Sequence, residues 1–240
     1  MSTLHAATTG LRFAILLVLA YGVARRNAVS TLNSLFAVVV SFTPLALGFT
    51  PLGATAVSLV ALLHAVGATG WYRDVWWWDH VAHTFAGGVV GAIGYAAIAT
   101  ALAVDGTHVA PVFTDAFAIL FALACGVLWE LLEVAARDVA AVYGLHPLLT
   151  PYGVRDSLED LFFDGVGALL AVLLDVTVFV PLVAALHVVT LEALDWAFLA
   201  LLVIVLVLGE GLGIVESRLA VSQARVPARD RDADATGRNR

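Results

Sequence analysis

Long apolar runs, separated by short polar breaks, follow one another along the chain to about residue 213. A membrane-spanning helix needs about 20 mostly apolar residues. Breaks such as Arg25-Arg26, Thr50-Pro51 and Asp105-Gly106 are typical of helix ends and turns. The pattern therefore predicts an all-α, polytopic membrane helix bundle of about seven transmembrane helices. The predicted ranges are 6–24, 29–49, 52–70, 79–103, 112–136, 160–180 and 191–213.

The composition agrees with a membrane domain. Hydrophobic residues make up 61% of the chain and charged residues 13%, whereas soluble domains are about 25% charged. The single cysteine, Cys125, excludes an internal disulfide framework and a Cys-rich zinc site.

We predict a transmembrane domain over 1–214 and a disordered polar tail over 215–240, which has few large apolar residues. The Lys-free, Asp-rich composition is typical of a prokaryotic protein. The partners that we expect are membrane lipids and not nucleic acid; the sequence indicates no particular protein partner.

The arginines predict the orientation in the cell membrane. With seven alternating spans, Arg12 is the only basic residue on one side, and the other eleven fall on the opposite side. Cytoplasmic loops are enriched in basic residues. We therefore expect the N-terminus outside and the C-terminus in the cytoplasm. The loop that holds Arg155 is then cytoplasmic, and Gly106 and Thr190 face outside.

This topology brings ionisable groups of several helices to the inner leaflet. Asp79 and His83 are four residues apart, so they share a helix face, and so do Asp160 and Asp164. Small residues beside them let helices approach closely. An isolated charge near the bilayer core costs about 2.5 kcal/mol or more, which favours mutual contact over contact with lipid. We predict one shared site with His64 at its edge, formed by Asp79, His83, Glu130, Glu133, Asp160 and Asp164.

The residue types at this site are compatible with a divalent metal ion. Carboxylates and imidazole suit Mg²⁺, Mn²⁺, Fe²⁺ or Zn²⁺. A bound ion would offset repulsion between the acids and could activate water or hold the phosphate of a lipid headgroup. All six residues are candidate catalytic groups in a metal-dependent membrane enzyme or lipid-handling protein. The candidate metal ligands are Asp79, His83, Glu130, Asp160 and Asp164.

Two other interpretations remain open. Chains of Asp, Glu and His act as relays in proton- or ion-coupled transporters, for which Asp175 is a deeper candidate. Alternatively, the protein is structural and its polar cluster only locks the helices together, with Arg137 or Arg155 neutralising some of the acids.

The ordered motifs resemble a known family. They comprise His64-AVGATGWYRD, Asp79-HVA-His83-TFAGG, Trp129-Glu130-LL-Glu133 and Asp156-SLE-Asp160-LFF-Asp164-GVGA. This set resembles the YjdF-like uncharacterised membrane proteins and, more distantly, the VanZ-like family. Compared with VanZ-like proteins, Asp164 replaces Asn, Glu133 replaces Gln and His80 replaces Lys, and the extra acids favour the YjdF-like interpretation. The resemblance implies a multi-helix membrane protein but no established reaction.

Overall fold

The computed structural model describes residues 3–149, 153–186 and 188–224, without the side chains of 212–224. Within these ranges, every regular element is helical. The part of the predicted tail from residue 225 onward lies outside the described residues. The helices are α1 (Thr3–Ala24), α2 (Ala28–Leu47), α3 (Pro51–Val66), α4 (Tyr72–Asp74), α5 (Trp78–Val104), α6 (Pro111–Tyr143), α7 (Val154–Leu173), α8 (Val180–Ala185) and α9 (Leu191–Ala224).

The predicted polytopic helical bundle is confirmed. Among the described residues, six helical segments are long and apolar enough to cross a membrane: α1, α2, α3 through α4, α5, α6 and α9. The α7 helix is 20 residues long, but its first eleven residues carry four acids and one arginine. The count of seven spans therefore stays a prediction, since it depends on whether α7 also crosses the bilayer.

The predicted range of the sixth span, 160–180, is wrong at both ends. The α7 helix begins at Val154 and ends at Leu173. It ends there because Asp175 adopts a left-handed conformation, with φ at 51°, and the short α8 then begins with Pro181 in its first turn. Asp175, the deeper candidate in the transporter interpretation, is an exposed residue of this turn.

The helices pack in two groups. The first group consists of α1, α2 and α3, which all contact one another, and the second centres on α5, which packs against α6 and most extensively against α7. The α9 helix packs mainly on α6. Most buried residues are small, whereas large apolar side chains such as Phe13, Leu45 and Phe113 are exposed. Large residues outside and small ones between helices are typical of a bundle whose surroundings are lipid.

Glycines allow α5 and α7 to pack very closely against each other. The two helices run parallel, with Gly87 against the backbone of Asp164 and Gly91 against Ala168 one turn farther along. A methyl group at Gly87 would overlap that backbone, and one at Gly167 would overlap the carbonyl of Thr84. Since both helices carry their acids near their N-terminal ends, this close parallel packing brings those acids to similar depths.

A wide turn separates α3 from α5. Residues Gly67–Trp71 form a π-type turn in which Gly70 has a φ of 122°, a conformation that L-residues rarely adopt. The ring of Tyr72 folds back against Gly67, where a side chain would collide with it. The Trp78 indole at the start of α5 donates a hydrogen bond to the Leu63 carbonyl over 3.1 Å. This hydrogen bond stabilises the turn and holds the start of α5 beside the end of α3.

Candidate functional site

His83 is the centre of a cluster of three aspartates. Its Nε2 lies 3.6 Å from Asp79 Oδ1 and 3.8 Å from Asp160 Oδ1, and its Nδ1 lies 3.2 Å from Asp164 Oδ1. One ligand atom from each of Asp79, His83 and Asp160 can be chosen so that all three lie within 4.8 Å of one another. The sequence prediction that these four residues of α5 and α7 come together agrees with this geometry.

Helical spacing and small neighbours position these groups. Asp79 and His83 occupy successive turns of α5, and Asp160 and Asp164 occupy successive turns of α7. Gly126 lets α6 pack directly against the Asp164 side chain, because a methyl group there would lie 2.5 Å from Asp164 Oδ2. The Asp160 and Asp164 side chains are therefore enclosed between α5 and α6, with residue exposures of 3% and 6%.

The two glutamates of α6 flank this cluster. Glu130 is buried beside Ser157 of α7, and Glu133 accepts a hydrogen bond from the Trp129 indole over 3.1 Å. Both carboxyl groups are close enough to His83 to interact with it electrostatically. They border the Asp/His cluster, but they are not part of the compact group of possible ligand atoms.

Three buried carboxylate oxygens have no hydrogen-bond partner among the described residues: Asp160 Oδ1 and Glu130 Oε2 at the site, and Asp138 Oδ2 farther along α6. A buried acceptor left without a partner costs about 1–3 kcal/mol, and more when it is charged. Asp160 Oδ1 is also one of the atoms that faces His83 Nε2, at a distance beyond hydrogen bonding. The cluster thus has an uncompensated acceptor at its centre, which a cation or a proton would satisfy.

His64 lies at the edge of the cluster, as predicted, in a network that the sequence did not reveal. Its Nε2 is 3.1 Å from Asn33 Oδ1, and its Nδ1 is 3.3 Å from the Tyr72 hydroxyl. Asn33 also donates to the Leu148 carbonyl over 2.9 Å, and Trp129 packs edge-on against the His64 ring. Tyr72 follows the glycine-containing turn, and its contact with His64 depends on how that turn folds back.

A polar cavity of about 920 Å³ opens over the cluster. Asp79, His83 and Asp160 line this cavity, together with Glu133. Two arginines line it as well, Arg26 in the turn after α1 and Arg73 in α4, where Arg73 also pairs with Asp74 at 2.8 Å. A cavity of this size is within the range of small-molecule sites, and it combines acids with cationic side chains.

The arginines suggested as neutralising groups form ion pairs with other acids. Arg137 pairs with Asp138, and Arg155 pairs with the exposed Glu159, each at 2.8 Å. Cys125 is a half-buried residue that lines an apolar cavity behind the cluster. Asp79, Asp160 and Asp164 instead face the His83 imidazole.

Fold and site together define a polytopic helical membrane protein with an Asp/His cluster between its helices. The chain matches the DUF2238 family of predicted membrane proteins over residues 5–181, most of its length, and it belongs to that family. YjdF-like proteins are this same family, so that part of the resemblance is confirmed; the VanZ-like part is not shown. No curated protein and no solved structure matches the chain significantly.

Proposed function

We propose that this protein is a divalent-metal-dependent membrane protein, an enzyme or a lipid-handling protein, whose metal site comprises Asp79, His83 and Asp160. The observation that carries the proposal is that one ligand atom from each of these residues lies within 4.8 Å of the other two. Three carboxylates around one imidazole repel one another, and a divalent cation would offset that repulsion. Asp164 then orients His83 through Nδ1, as carboxylates commonly do for metal-bound histidines.

The chemistry of these ligands limits the metal. A site of imidazole and carboxylates without thiolate suits Zn²⁺, Fe²⁺ or Mn²⁺, and it suits Mg²⁺ when water completes the coordination. Such an ion polarises a phosphoryl oxygen or activates a water molecule. Glu130 and Glu133, which border the site, are the candidate groups to accept or deliver a proton. In this proposal all six predicted site residues, five acids and His83, therefore keep a role.

The arginines of the polar cavity favour an anionic substrate. Arg26 and Arg73 line the same cavity as the proposed metal ligands, and guanidinium groups bind phosphate well. A lipid phosphate that entered this cavity would share it with the arginines and with the residues that would hold the metal. If α7 also spans the bilayer, the eleven-to-one arginine asymmetry supports an inner-leaflet location, with the C-terminus in the cytoplasm.

Metal analysis of the purified full-length protein tests this proposal. We expect a divalent metal ion in stoichiometric amount, and we expect Asp160→Asn and His83→Ala to lose most of it. Glu159→Gln is the matched control, because Glu159 neighbours Asp160 on the same helix but pairs with Arg155 on the exposed side. Absence of metal from the wild-type protein, or equal metal content in Asp160→Asn and Glu159→Gln, would overturn it.

The same preparations separate the two other interpretations. Uptake into vesicles that follows a pH gradient and needs no metal would favour the ion-coupled carrier. A polar cluster that only locks helices would predict loss of thermal stability in Asp160→Asn without any metal in the wild-type protein.

A further inference from the structure

A second cavity of about 280 Å³ lies behind the Asp/His cluster, between α2, α3, α5 and α6. Its wall away from the cluster is apolar, with Val40, Val60 and Val90 from three different helices. The space exists because the facing residues of α5 and α6 are small, among them Ala86 and Ala122. A void among apolar side chains forfeits dispersion contacts, so an apolar occupant would be stabilised there.

This apolar cavity adjoins the polar one. His64, Tyr72, His83 and Trp129 line both cavities, so the same four side chains form the boundary between them. An occupant that passed this boundary would have its polar part beside the acids and arginines and its apolar part among the valines. The two cavities together therefore have the amphipathic character of a lipid.

The helix packing favours a lateral route from the bilayer to the apolar cavity. Its walls include Phe36 of α2 and Ala122 of α6, but α2 packs against α1 and α3, and α6 packs against α5, α7 and α9. No extensive α2–α6 packing among the described residues closes the gap between these two helices. Phe36, at this rim, is 53% exposed. A hydrocarbon chain could thus enter from the side without leaving an apolar environment.

We propose that the apolar cavity binds one acyl chain of a glycerophospholipid whose phosphate headgroup occupies the polar cavity. The headgroup half of this inference rests on the proposed function, whereas the acyl half rests on the apolar cavity and its lateral opening. Because acyl chains gain little from leaving surrounding lipid, selectivity comes from the tethered phosphate, which raises the local concentration of the chain at the cavity mouth. A water-soluble phosphate compound would leave the apolar cavity empty.

Photolabelling of the full-length protein in detergent tests this inference. The probe is phosphatidic acid that carries a diazirine on one acyl chain, and a diazirine-bearing fatty alcohol without phosphate serves as the comparison. We expect peptide mapping to find the phosphatidic acid adducts on the cavity-lining faces of α2, α3, α5 and α6. The fatty alcohol should label these positions much less. Adducts confined to exposed helix faces, or equal labelling by the alcohol, would overturn the proposal.

A matched pair of variants on α2 tests the position. Val40→Phe fills the cavity, whereas Val39→Phe adds the same volume at a residue that is 61% exposed. The larger side chain in Val40→Phe should occupy space that the acyl chain needs, so labelling of this variant should weaken about tenfold. Val39→Phe should label like the wild type. Val60→Phe fills the cavity from α3 and should repeat the loss if Val40→Phe fails to fold. Equal labelling of cavity-filling and control variants contradicts the acyl site.

Metal content measured on the same samples separates this inference from the proposed function. Metal retained with no cavity labelling refutes the acyl site and leaves the metal site standing. Cavity labelling without metal refutes the metal site and leaves the acyl site standing.

Discussion

Replacing Gly167 with alanine should force α5 and α7 apart, whereas the same change at Gly165 should not. A methyl group at Gly167 would overlap the Thr84 carbonyl and lie 2.7 Å from the Gly88 nitrogen. A methyl group at Gly165 would meet a Leu123 methyl at 3.4 Å, an ordinary van der Waals distance. Both glycines lie within α7, so they form a matched pair for the α5–α7 contact.

The difference between the two variants isolates the cost of the overlap. Alanine in place of a helical glycine gains about 1 kcal/mol of helix propensity, and both variants share this gain. Overpacking against backbone costs about 1–3 kcal/mol in Gly167→Ala alone. For a chain of this length each kcal/mol shifts the Tm by about 2–4 °C, so Gly167→Ala should melt about 2–12 °C below Gly165→Ala.

Tryptophan fluorescence during heating in detergent measures both melting temperatures. Metal analysis of Gly167→Ala supplies a second readout, because separation of α5 from α7 would draw Asp160 away from Asp79 and His83. Equal melting temperatures of the two variants would refute the reasoning, because they would mean that no close α5–α7 contact exists at Gly167. Metal loss in Gly165→Ala would contradict its use as a control.

Three further predictions concern the His64 network and the orientation. Asn33→Ala removes the hydrogen-bond partner of the half-buried His64 ring and of the Leu148 carbonyl. The Tm should fall by about 2–12 °C for a loss of about 1–3 kcal/mol, and an unchanged Tm would contradict the network. Tyr72→Phe removes only one hydroxyl, so we expect a loss of about 1 kcal/mol with metal content retained. Metal loss there would instead make Tyr72 part of the metal site. In a Cys125→Ser background, cysteine at position 107 should react with an impermeant thiol reagent added outside intact cells, and protection from it would reverse the proposed orientation.

The sequence alone predicted most of the secondary structure and the membership of the Asp/His cluster. Helix length, apolar content and the four-residue spacing of Asp79 with His83 are local properties, readable without knowledge of how helices pack. The end of the sixth run was predicted wrongly, since a left-handed Asp175 within an apolar stretch leaves no signal in hydropathy. The glutamates of α6 were predicted to converge with the other four residues, and they border the Asp/His cluster outside the compact group of possible ligand atoms.

What the sequence determined is therefore the class of protein and the residues whose charge cannot face lipid. Only the tertiary structure decided that His83 stands at the centre, that Tyr72 reaches His64, and that two cavities meet at the cluster. These features depend on how far each helix rotates and how closely it approaches its neighbours. Those quantities are set by contacts between distant positions, such as Gly87 against Asp164, and hydrophobic periodicity within one helix carries no information about them.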